Sequence, residues 1–129
     1  MKPRLLASAL LLALAPVAAM AGDPVEGIWK TEAEDGAFAL VTIAPCADRF
    51  CGVISRTFNA SGEYQSPNRG KPIVWDMKAD GGGSYSGGQI WQPSTGKTYT
   101  SKMSLSGSTL KVSGCVGPIC KKQSWTRAE

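Results

Sequence analysis

From Lys97 to Ser106 polar and apolar side chains alternate: Tyr99, Met103 and Leu105 fall on one face, and Thr98, Thr100, Lys102 and Ser104 on the other. A period of two marks a β-strand with one face in a core and the other in water. Similar short runs recur at 25–32, 37–44, 51–58, 72–78, 84–92, 109–113 and 121–127. Turn formers separate them, among them Asp35-Gly36, Asp80-Gly81-Gly82-Gly83, Pro93-Ser94-Thr95-Gly96 and Ser106-Gly107. No stretch has the 3.6-residue rhythm of an amphipathic helix. About eight short strands predict an all-β fold, an antiparallel sandwich or barrel. Residues 59–71 are the longest irregular segment. In 72–78 the alternation places Ile73, Trp75 and Met77 on one face, with Asp76 and Lys78 on the other.

The start of the chain sets its address. Met1-Lys2-Pro3-Arg4 is basic, Leu5 to Ala19 is apolar apart from Ser8 and Pro16, and Ala19-Met20-Ala21 provides small residues for cleavage. This pattern is a secretory signal over 1–21. It is too short for a membrane span, which needs about 20 apolar residues, and Pro16 interrupts it. No cysteine follows it to accept a lipid. The expected product is a periplasmic or secreted protein of one domain, residues 22–129, with no membrane span and acting as a monomer. Lys2 and Arg4 leave with the signal, so the mature chain is less basic than the full sequence's +4. Its basic residues are dispersed, which argues against a nucleic-acid partner.

Four cysteines stand as two C-x4-C pairs, Cys46 with Cys51 and Cys115 with Cys120. In an exported domain an even count reads as disulfides, and local pairing suits the two spacings. Zinc is the competing reading, but its structural sites favour tighter C-x2-C pairs, often with histidine, and the chain has none. Gly96-Lys97-Thr98 is not a phosphate loop. Trp91 stands where such a loop needs glycine, and a strand follows rather than a helix. Without histidine there is no His-based triad. Glu32, Glu34, Asp35, Asp76 and Asp80 are the carboxylates that a fold would have to bring together for acid–base work. Asp76 is the first to inspect because it lies mid-strand. No catalytic residue, metal site or cofactor is expected.

Gly27-Ile28-Trp29 at the mature start and Trp125-Thr126-Arg127 at the end resemble the lipocalins and their calycin relatives. There, a tryptophan closes one end of an up-and-down barrel and a terminal arginine stacks on its ring. A wider resemblance runs through Gly27-Ile28-Trp29, Cys46 to Gly52, Ile73-Val74-Trp75-Asp76-Met77, Tyr85-Ser86-Gly87-Gly88-Gln89-Ile90, Pro93 to Tyr99, Leu110 to Cys115, and Gln123 to Arg127. In that order the motifs resemble an exported bacterial family known as domain of unknown function 2147. The resemblance implies a calycin-like, lipocalin-like barrel with Gly27, Trp29, Trp125 and Arg127 at its closure, and no reaction.

Two functions follow as expectations, both of a binding protein rather than an enzyme. One is carriage of a small apolar ligand, with Trp75, Met77, Tyr85, Trp91, Tyr99 and Met103 sharing a strand parity as candidate lining residues. A barrel of eight strands either packs solid or holds one small ligand. The other is a module for an envelope protein or the cell wall, such as a hydrolase inhibitor. It would act through the 59–71 segment and the cysteine-closed loops, with Arg56, Arg69 and Lys71 nearby.

Overall fold

The computed structural model describes residues 22–128, so the expected signal at 1–21 lies outside the described residues. The described residues form nine strands and no helix: β1 (Gly27–Lys30), β2 (Phe38–Cys46), β3 (Arg49–Asn59), β4 (Gly62–Tyr64), β5 (Pro72–Gly81), β6 (Ser84–Gln92), β7 (Lys97–Ser106), β8 (Thr109–Val116) and β9 (Ile119–Arg127). Eight of them, all but β4, pair antiparallel in chain order, and β9 returns to β1 through Trp29↔Arg127 and Lys30↔Thr126. The result is the expected closed up-and-down barrel. Residues 59–71, expected to be irregular, contain β4, which turns back on the far half of β3.

The first strand is shorter than the alternation predicts, because residues 23–26 fold into a turn instead. The Val25 and Glu26 amides donate to the Asp23 side chain and carbonyl. The turn carries Val25 into the end of the barrel, where it is fully buried. Trp29 Nε1 donates to the Val25 carbonyl at 2.9 Å. The Arg127 guanidinium lies 4.1 Å from the centre of the Trp29 ring. It also donates to the carbonyls of Glu26 at 2.8 Å and Pro24 at 2.5 Å. The expected Trp29–Arg127 closure is therefore present, and the same arginine pins the plug that seals that end.

Trp29, Val41, Val74, Met77, Leu110 and Trp125 are all fully buried. Each indole removes about 150–250 Å² from water, a contribution of about 4–6 kcal/mol before entropy is counted. Both expected disulfides are formed, Cys46–Cys51 and Cys115–Cys120. Cys115 and Cys120 face each other directly across the β8–β9 ladder. Their hairpin turns through Gly117 at φ 57°, a left-handed conformation that glycine adopts without steric cost.

Candidate functional site

The interior is closely packed around Met77, Tyr85 and Met103. A void wide enough for a ligand would leave its walls exposed, yet Met77, Tyr85 and Met103 show 0%, 4% and 3% exposure. Two glycines report the same packing. A methyl on Gly52 would come within 2.8–2.9 Å of Val41 and Val74. One on Gly88 would come within 2.6 Å of the Met77 sulfur and 2.5 Å of the Trp75 carbonyl oxygen. Large residues have taken the space that these glycines leave.

The six aromatic and thioether residues expected to share one face are divided between two. Val74 pairs with Ile90, and both are buried inside. Trp75 therefore points outward beside Gln89, to which its Nε1 donates at 3.0 Å. Two residues later Met77 is inside again, so the alternation has slipped by one. The slip is at Asp76, whose φ of 59° bulges the strand. Strand β6 bulges across from it at Gly87, φ 75°, so that Tyr85, like Ile90 beyond the bulge, is buried inside. Lys71 places its ammonium 5.4 Å from the Trp91 ring. Of the six, Met77, Tyr85 and Met103 are core, Tyr99 and Trp91 are half-buried against it, and Trp75 lies on the outer wall. Asp76 is exposed, and its conformational role accounts for its place in mid-strand.

Tyr85 is the one core side chain with a titratable group. Its hydroxyl donates to Asp23 in the end plug. Burial, and then that hydrogen bond, push its ionisation well above the usual tyrosine range. Its role is to bolt the plug to the wall. The other carboxylates are separately engaged. Glu32 accepts from the Ser124 amide at 2.9 Å, Asp80 accepts from Ser86 at 2.6 Å and lies 3.7 Å from Lys78, and Asp35 occupies a turn at φ 52°. No group of three or more potential metal ligands gathers among the described residues.

Two depressions lie on the outside of the barrel. The first, about 680 Å³, runs between β3 and the segment after β4, lined by Val53, Ser55, Gln65, Pro67 and Arg69. That segment is held firmly. The Ile54 amide donates to the Lys71 carbonyl and the Gly70 amide to the Ile54 carbonyl. Thr57 Oγ1 bridges the Tyr64 carbonyl and the Ser66 amide. Beside it Val53 and Tyr64 are 37% and 42% exposed. Arg56 grips Glu63 with two donors, and that hydrogen bonding holds the Glu63 carboxyl below its ordinary range.

The second depression, about 780 Å³, lies on β6 to β9. β3 and β8 are four strands apart in either direction around the eight-stranded circuit, so the two surfaces face opposite ways. Its floor is made of small hydroxyl residues, Ser84, Ser86, Ser104 and Ser113, and its charged rim is Lys102, Lys111 and Lys122. The two-residue turns at Gly107-Ser108 and Gly117-Pro118 fix this arrangement. Counting back from them sets Lys102 opposite Ser113 and Ser113 opposite Lys122, with Ser104 opposite Lys111 one row along. The alternation assigns Lys102 and Ser104 to the polar face, but one strand alone does not reveal that three strands' lysines converge.

The chain belongs to a family of uncharacterised proteins conserved in bacteria, DUF2147, whose model matches residues 27–127. No curated protein matches it. A solved structure is similar in fold: protein HP1028 from the human pathogen Helicobacter pylori, described as belonging to the lipocalin family. The TM-score is 0.64 at 19% identity, over 81% of this chain and 83% of that one. The likeness establishes a lipocalin-like barrel.

Proposed function

We propose that the protein is an exported binding module of the bacterial envelope that meets its partner with its outer surface, while its interior serves as structural core. The observation that carries this reading is the packed interior, where Gly52 and Gly88 have no room for even a methyl group. Export is argued from the leader, and two disulfides fit an oxidising compartment. The β3–β4 surface suits a protein or wall partner. It offers Val53 and Tyr64 for apolar contact and Arg69 for charge, on a backbone already ordered by hydrogen bonds. A surface ordered in advance loses little entropy on binding.

Carriage of a small apolar ligand is the second reading. The lipocalin-like topology favours it, together with Tyr99, which is half-buried at the end away from the plug. The two readings separate in one comparison. Mature protein and a Val53→Asp/Tyr64→Ala variant are sedimented with purified cell-wall sacculi and with solubilised envelope proteins, and each is titrated with a fluorescent fatty acid. Surface binding predicts at least tenfold weaker co-sedimentation by the variant and no saturable fatty-acid uptake by either protein. Equal co-sedimentation with saturable uptake by both would overturn it.

A further inference from the structure

We infer that the groove on β6 to β9 is a binding site for an anionic polysaccharide strand, independent of the β3–β4 surface. Three observations converge on it. First, Lys102, Lys111 and Lys122 are exposed on its rim, and none has a carboxylate within 4.0 Å among the described residues. Lys102 and Lys122 are two strands apart, about 10 Å, and Lys111 is one strand and two residues from each, about 8 Å between Cα atoms. Three like charges are thus held on one wall with no neutralising partner. Two carboxylates border the groove and both are engaged: Asp80 by Ser86 and Lys78, and Glu32 by the Ser124 amide.

Second, the floor between the lysines is hydroxylic. Ser84 faces Ser104, Ser104 faces Lys111, and Lys111 faces Ser124 in one continuous row. Hydroxyl groups both donate and accept, which matches the alternating hydroxyls of a sugar chain as well as the oxygens of an anion. Third, Ser113 lines the groove and sits in register directly between Lys102 and Lys122. Its hydroxyl can donate to an anionic oxygen held between the two ammonium groups. Long cations standing over short hydroxyl residues make a trough along the wall. Such a shape admits a strand rather than a single small ion.

The test is calorimetric titration of the mature protein with four probes: dextran sulfate, polygalacturonate, neutral dextran, and phosphatidylglycerol vesicles. Both anionic polysaccharides are expected to bind, more weakly as salt rises, while neutral dextran does not. Lys102→Gln/Lys122→Gln should weaken binding by about tenfold or more, and Ser113→Ala by about threefold. Lys71→Gln/Lys97→Gln removes the same charge away from the groove and should change it less than twofold. Equal losses from the two double variants would reduce the effect to net charge and overturn the site. Binding to vesicles without binding to either polysaccharide would overturn the ligand class. Co-sedimentation through the β3–β4 surface is read separately, so failure of either proposal leaves the other standing.

Discussion

The barrel wall is made in two ways. Strands β7, β8 and β9 pair residue for residue without interruption, and every second side chain goes inward along their whole length. Strands β5 and β6 are irregular, with bulges at Asp76 and Gly87 beyond which the inward parity reverses. Uninterrupted pairing gives the regular half an outer surface of serine and lysine in straight rows. In the bulged half the reversal brings Met77 and Tyr85 into the core and turns Trp75 out. Bulges let one narrow barrel choose which large side chains it encloses.

The sharpest way to break this contrast is to remove a tryptophan from each half. Trp125, fully buried on β9, should cost about 3–5 kcal/mol when replaced by alanine. Trp75→Ala should cost about 1 kcal/mol, since that ring lies on the outer wall. Comparable losses in denaturant unfolding would show that Trp75 belongs to the core and that the parity does not reverse. Glycines give the next test. Gly88→Ala should cost about 3 kcal/mol, because the new methyl meets the Trp75 carbonyl at 2.5 Å. Gly114→Ala on β8, where the nearest atom is 3.4 Å away, should cost less than about 1 kcal/mol.

Asp76 probes the bulge itself. Valine there should cost about 1–2 kcal/mol, since a β-branched residue resists positive φ, and Asp76→Gly should be nearly neutral. Ser104→Val on regular β7 should be tolerated. Tyr85→Phe should cost about 1 kcal/mol near neutral pH, from the lost hydrogen bond to Asp23. Its pH dependence has a defined sign. The folded state raises the ionisation of Tyr85, so its contribution is intact below the unfolded value of about 10 and declines as pH rises beyond it. Unfolding at pH 8 and pH 11 should show a steeper alkaline loss for the native sequence than for Tyr85→Phe.

The two halves also differ in how much of them is written in the sequence. The strands, their order, both disulfides and the Trp29–Arg127 closure follow from alternation, turn residues, cysteine spacing and the family resemblance. What does not follow is the parity of β5 and β6. An aspartate at positive φ carries no sequence signal, and Gly87-Gly88 reads equally well as room for a neighbour. One unseen bulge in each strand is enough to scatter six candidate lining residues over two faces. The lysine groove was legible in part. The hairpin turns fix the register that brings Lys102, Lys111 and Lys122 together, but only when three strands are aligned at once. The plug at 23–26 was hidden by Val25, which reads as the start of a strand and instead fills the end of the barrel.

A structural interior and a binding exterior make a direct prediction for the core methionines. Among the described residues methionine occurs only at 77 and 103, both deep in the core. Their methyl resonances, recorded on carbon-13-labelled protein during titration with a long-chain fatty acid, report on the interior directly. Neither resonance is expected to move at saturating ligand. A saturable shift of both, at a protein-to-ligand ratio near one, would show that the barrel opens to hold a guest and would contradict a structural interior.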